Sequence, residues 1–412
     1  MGAYFQLLRH RASYRLLWIA QVISLTGDWF NTIAIIILVN RYTDGSALAI
    51  SGLFLARTLP VFFISPFAGL IADRFNRKWI LVMSNALRVI VVLGFLLVDS
   101  SADVILIYML TILQFGLSAF FEPAYAAILP SLVQKDELLT ANTLGSVTWS
   151  VMLTVGAAIG GLVTELLGIE AAIILDALTF ALAACVLLLV QPAFTPAPED
   201  TFTPSNPIED FVGGWKHARE HQDIGLLTLV KGISQVGSID VMIGVYAASV
   251  IVVGNEGATT LGVLFAAHGL GAILGPLLGD WISDGSESAL FNWLTFGYIG
   301  IALGWFIFGI GGTLAIVAIG MVLRGMGGSI AWTYSTVLLQ MKVPDRLLGR
   351  VFGLDFSIFQ LLLALATLGA GVAIESLNIA PRNMVMLITA GSVLVVIWWW
   401  TALKRLKNAT AN

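Results

Sequence analysis

Charge is what this sequence has least of. Only 11% of its 412 residues are Asp, Glu, Lys or Arg, against about a quarter in soluble domains. A chain so poor in charge cannot cover itself with a hydrated surface, so its exterior must meet lipid. A hydrophobic content of 58% and a mean hydropathy of +0.92 point the same way. Cysteine is nearly absent too: the single Cys185 excludes an internal disulfide and leaves the redox compartment open. The four histidines are scattered. No acid or cysteine cluster at metal-ligand spacing stands out, so neither a metal site nor a membrane enzyme is expected. No Gly-x4-Gly-Lys-Ser/Thr loop occurs, which argues against ATP-driven pumping by this chain. The basic residues form short clusters and no extended stripe, which argues against nucleic acid as a partner. Met1 to Arg15 carries three arginines but no small-residue cleavage site, so no cleavable signal is expected.

What the chain does have is long apolar runs. A membrane-spanning helix takes about 20 mainly apolar residues. That window predicts twelve spans, near 16–39, 48–72, 79–98, 104–128, 138–165, 169–190, 224–252, 259–282, 289–309, 312–338, 349–375 and 384–403. The fold class is therefore an all-α membrane protein. The proline-rich stretch with Pro192, Pro196, Pro198, Pro204 and Pro207 reads as a linker. It divides the chain into a six-helix bundle (1–190), a cytoplasmic connection (191–222) and a second six-helix bundle (223–412). Within the connection, Ile208 to Gln222, with Phe211 and Trp215, suggests an amphipathic surface helix. With both termini in the cytoplasm, fifteen of the 21 basic residues fall on the cytoplasmic side, and only Arg41 and Arg382 fall opposite. The positive-inside rule favours that orientation.

The two halves repeat. Ile23, Ser24 and Gly27 match Ile233, Ser234 and Gly237 at an offset of 210, as Pro66 and Gly69 match Pro276 and Gly279. Tyr125, Asp136, Leu138, Leu139 and Gly160 match Tyr334, Asp345, Leu347, Leu348 and Gly369 at 209. A near-constant offset across such separated places implies an old duplication. Transporters are often built this way, with a substrate site at mid-membrane between repeats.

The loop after the second span reads Gly69-Leu-Ile-Ala-Asp73-Arg74-Phe-Asn-Arg77-Lys78. It resembles the signature loop of the major facilitator superfamily, with Asn76 where a glycine is usual; Asn tolerates a left-handed turn. The resemblance implies the major facilitator fold, two pseudo-symmetric six-helix bundles. It also implies that this loop governs switching between inward and outward states. Gly349 and Arg350, at the eleventh span, are the counterpart that Asp73 would cap. Gly156-Ala-Ala-Ile-Gly160-Gly161 in the fifth span resembles the family's exporter motif, with Ala157 in place of a proline; close helix packing explains the same glycines. The arginine usual in the fourth span of proton-coupled drug exporters is absent. Arg324 stands instead at the repeat-related place, 209 beyond Phe115. Ile23-Ser-Leu-Thr-Gly27-Asp28, Arg57-Thr-Leu-Pro60, Phe121-Glu122-Pro123-Ala-Tyr125, Asp176-Ala-Leu-Thr-Phe180 and Leu348-Gly349-Arg350-Val351 resemble the branch of macrolide-efflux and enterobactin-exporting members. That branch implies proton-driven export of an amphipathic small molecule. A monomer in the bacterial cytoplasmic membrane, in contact with membrane lipid and needing no cofactor, is expected. A lysophospholipid carrier is the rival on the same fold. A ligand sensor is a rival of another class.

Ionisable groups deep in a span cost at least about 2.5–3.5 kcal/mol, so each needs a partner or a task. Asp28, Glu122, Asp240 and His268 are candidates for proton coupling. Asp28 leads them, with a purely structural pair to Arg57 as its alternative. The family's cavity-lining helices bring in Arg57, Arg324 and Asp355. The aromatic residues Trp29, Tyr125, Trp149, Tyr246, Trp332 and Tyr334 either line an apolar cavity or pack. Arg88 and Asp176 lie on peripheral helices and read as structural. Lys231 reads as a snorkelling residue, and Trp398-Trp399-Trp400 as part of an interfacial belt.

Overall fold

The computed structural model describes residues 2–134, 137–191, 215–282 and 286–411. The described chain is almost wholly helical and contains no strand. In hydrocarbon every backbone polar group must be satisfied within its own segment, and a helix does this without a neighbour. A short helix, Gly2–His10, precedes the first span, Ala12–Tyr42. The next three spans are Ala47–Arg74, Arg77–Gly94 and Val104–Ile128. The eighth to twelfth are Ala258–Ile282, Glu287–Ile310, Leu314–Lys342, Asp345–Glu375 and Pro381–Ala411. Ten helical runs are long and apolar enough to cross a membrane. One of them, Thr140–Leu188, is two spans in a single run. Gly168 breaks it at φ +85, so the fifth span ends there and the sixth occupies 169–188. The seventh span escapes that tally because it is split into Gln222–Ile233 and Ile239–Ser249. The described residues thus hold twelve spans.

Local chemistry explains where several helices begin. The Asn76 side chain accepts from the Lys78 amide at 3.1 Å and caps the third span. Ser286 caps the ninth through the Ala289 amide at 3.2 Å, and Ser100 and Asp103 form a reciprocal capping box before the fourth. Pro381 opens the twelfth, where a missing N–H costs nothing.

The chain forms two compact units. The first holds Met1–Gly45, Gly52–Thr203 and Val253–Gly262; the second holds Ser46–Ser51, Pro204–Val252 and Val263–Asn412. In the first, one apolar core gathers Tyr14, Leu17, Leu81, Tyr125, Leu132 and Leu187. Arg11 donates to Glu137 at 2.8 Å and pins the chain's start to the fifth span. Partial burial pulls the Glu137 carboxyl upward, but hydrogen bonds from Arg11 and the Gln134 amide outweigh it and hold it below its ordinary value. In the second unit Trp305 and Trp399 are fully buried. Trp399 donates to the Thr295 hydroxyl at 3.0 Å, so it belongs to the core, while Trp398 and Trp400 are exposed. The interfacial reading therefore needs correcting for the middle tryptophan. Of the expected surface helix, residues up to 214 lie outside the described residues; Trp215 is exposed at the start of a helical segment.

Candidate functional site

The first unit builds a polar network at mid-membrane from four helices. Asp28 of the first span accepts from Arg88 of the third at 2.8 Å. Arg88 is 3% exposed, and its guanidinium lies over the Phe180 ring at 4.0 Å. Asp28 keeps 27% of its side chain accessible. Three residues on, Asn31 donates to Asp176 of the sixth span at 2.7 Å and to Gln114 of the fourth at 3.3 Å. Asp176 is wholly buried. Gly27 makes that approach possible: a Cβ there would strike the Thr179 hydroxyl and the Asp176 carboxylate.

Arg57, the alternative partner considered for Asp28, acts on it electrostatically, but the direct 2.8 Å contact belongs to Arg88. Arg57 donates to the Thr32 hydroxyl at 3.2 Å and lies over the Phe115 and Phe54 rings at 4.7 and 5.4 Å. The Phe115 contact satisfies part of its charge. Asp28, Thr32, Arg57, Gln114 and Phe115 nevertheless face one narrow cleft. Its volume of about 10 Å³ is close to what one water occupies. A larger groove of about 440 Å³ is lined by Phe75, Trp79, Met83, Leu87 and Phe120. Its apolar walls on the third and fourth spans suit lipid, and none of the intramembrane charges reaches it.

The second unit carries its own interior pair. Lys231 meets Asp355 at 2.5 Å, with the two side chains 4% and 2% exposed. The ammonium lies 4.8 Å from the Trp332 ring centre and 5.4 Å from that of Phe352. Lys231 is therefore an interior partner and no snorkelling residue, because a carboxylate and two ring faces replace the water it would seek. Asp355, Arg324, Tyr246 and Tyr334, expected along a cavity, are all enclosed in this conformation. Arg324 donates to the Ser234 carbonyl at 3.0 Å. The Tyr246 ring packs against Phe308, tilted by 42° with centroids 4.2 Å apart. Tyr334 sits where the Gly279 backbone leaves room for its hydroxyl. Trp332 and Trp149 remain exposed, and Tyr125 donates to Gln21 at 2.9 Å. Glu122 is exposed and Asp240 half-buried, its carboxylate acting on Arg324. His268 is half-buried where Gly325 of the tenth span presses against its backbone.

Two further expectations concern the loop and the glycines. Arg77 donates to the Ala127 carbonyl at 2.7 Å and Lys78 to the Leu188 carbonyl at 2.6 Å. Both acceptors close helices, where the dipole is negative, so the two basic residues staple the loop to the fourth and sixth spans. The environments of Gly69 and Gly349 and the side chains of Asp73 and Arg74 lie outside the described residues; Arg350 is exposed. In the fifth span, a Cβ at Gly156 would meet the Trp29 ring at 2.7 Å, and one at Gly160 the Trp29 carbonyl at 2.8 Å. Gly161 faces the Gly262 Cα in the same way at 2.7 Å. These glycines serve close packing.

One cluster escaped the sequence reading. His217, Glu220 and His221 place one ligand-type atom each within 4.8 Å of one another. The signal was present as His-x-x-Glu-His, which sets three donors on neighbouring positions of a helix turn.

Twelve apolar helices from a duplicated chain, with a buried ion pair in each unit, define a polytopic membrane transporter. The chain belongs to the Major Facilitator Superfamily, whose sequence profile matches residues 17–367. It is 25% identical to the candidate bacilysin exporter BacE of Bacillus subtilis (strain 168), over 92% of this chain and 90% of that one. It is 24% identical to the enterobactin exporter EntS of Shigella boydii serotype 4 (strain Sb227), over 84% and 82%. Among solved structures, the nucleoside transporter NupG superposes with a TM-score of 0.75, covering 95% of this chain and 99% of that one at 10% identity.

Proposed function

We propose that this transporter exports amphipathic small molecules in exchange for protons, by alternating access, from the cytoplasm of a bacterial cell. Both termini then lie in the cytoplasm. The likeness to BacE and EntS supports the direction of transport. The observation that carries proton coupling is the Asp28–Arg88 pair: a partly accessible carboxylate at mid-membrane, held by a buried guanidinium and opening on a water-sized cleft. Protonation would remove the carboxylate's charge, loosen its hold on Arg88 and permit the return step. Glu122, which lies within electrostatic reach of Asp28, is the relay that could pass the proton on.

The test uses proteoliposomes with an imposed pH gradient and a panel of macrolides, siderophores and lysophospholipids. Wild-type protein should accumulate one class only when the gradient is present. Asp28→Asn should abolish that accumulation and keep substrate exchange without a gradient. Gradient-driven uptake at wild-type rates in the variant would remove Asp28 from the mechanism. Selective movement of lysophospholipids, with or without the gradient, would replace the exporter reading by a lipid carrier.

A further inference from the structure

We propose that His217, Glu220 and His221 bind a zinc ion just ahead of the seventh span. All three side chains offer a ligand atom within a 4.8 Å cluster. The two rings lie with centroids 4.3 Å apart. His217 and Glu220 stand on the helical segment 215–220, and His221 occupies the break that follows, with φ −118 and ψ 100. The His221 amide still donates to the His217 carbonyl at 3.1 Å, so the two imidazoles remain one helical turn apart on the same face as Glu220.

Two details give the cluster the character of a ligand set. The His221 Nδ1–H donates to the His217 carbonyl at 3.1 Å. This fixes the tautomer and leaves Nε2 with its lone pair, the way metal-binding imidazoles are commonly oriented. Glu220 has Lys216 four residues before it and Arg219 beside it, yet it pairs with neither among the described residues. Its carboxylate is open to a cation held by the imidazoles. Two imidazoles and one carboxylate suit zinc better than the hard cations, which prefer all-oxygen shells. Tetrahedral zinc would take a water as its fourth ligand. Bound there, the ion bridges segment 215–220 to Gln222–Ile233 and fixes the angle between them.

The full chain, purified without a polyhistidine tag, is titrated with zinc chloride by calorimetry. It is titrated separately with cobalt chloride, followed by visible absorption. One zinc per chain and the intense absorption of tetrahedral cobalt are expected. Both should vanish in His217→Ala/His221→Ala, weaken in Glu220→Gln and persist in His10→Ala. Thermal melts without metal verify that each variant is folded. No stoichiometric zinc in the wild type, or equal binding by the double variant, overturns the proposal.

Discussion

Arg88 cannot shed its charge, whereas Asp28 can take up a proton. That difference makes the two halves of their ion pair unequal. Arg88 is 3% exposed, and only Asp28 touches accessible space. Removing one member of a buried pair costs about 3–5 kcal/mol, because the other is left uncompensated. Asp28→Asn strands a permanent cation, and Arg88→Met strands a group that can neutralise itself. Thermal unfolding in detergent should therefore show the larger loss for Asp28→Asn. The double variant should recover much of what either single one loses. Strictly additive losses would mean that the pair contributes nothing to the fold. At this scale the sequence was half legible. The cost of charge in a span marked Asp28, Arg88 and Asp355 as residues in need of a partner or a task, whereas Lys231, near a helix end, read as snorkelling and proved to be the partner of Asp355. Their partners depend on how each helix is rotated about its axis, and packing elsewhere sets that rotation. Arg57 stands at a plausible depth to meet Asp28, but its guanidinium turns to Phe115 and Thr32. A cation–aromatic contact leaves no mark in residue spacing.

Elements repeat more faithfully than residues do. Gly27 abuts Thr179, and its repeat mate Gly237 abuts Ile388, which lies 209 positions beyond Thr179. The duplication is thus preserved as a helix contact even where its chemistry has changed. The backbone diverges at the same point: the first span runs on through Gly27, while the seventh breaks at Gly237 with φ +78. The shared Ile-Ser-x-x-Gly frame gave no sign of this, since glycine accommodates both conformations. The fifth span offers a graded test of packing. Alanine is intrinsically better than glycine inside a helix by about 1 kcal/mol, so propensity alone predicts that Gly→Ala stabilises. At Gly160 and Gly161 the new methyl would meet backbone atoms, which cannot turn aside; at Gly156 it would meet the Trp29 ring, which can. Overpacking costs about 1–3 kcal/mol. Gly160→Ala and Gly161→Ala should lower the melting temperature, and Gly156→Ala should lower it less. Equal stabilisation of all three would show that the glycines are not contact points.

At the scale of the whole molecule, hydropathy and charge carry different information. Apolar length fixes the number of crossings, and it read correctly from sequence even where Gly168 fuses two spans into one helical run. It cannot say which end faces the cytoplasm, because a span is as apolar in one direction as in the other. The basic residues break that symmetry. Arg9, Arg11, Arg15, Arg74, Arg77, Lys78 and Lys135 cluster at one set of ends in the first half, and Lys404, Arg405 and Lys407 follow the last span. Two single-cysteine variants test the orientation, in a background where the exposed Cys185 is replaced by serine. Ser100→Cys lies between the third and fourth spans, and Gln134→Cys between the fourth and fifth. In intact cells a membrane-impermeant maleimide should label the first and spare the second until the membrane is opened. The reverse pattern would place the basic ends outside. The transporter would then bind its substrate from the opposite side under the same gradient, and the export reading would fall while the fold, the ion pairs and the duplication stood unchanged.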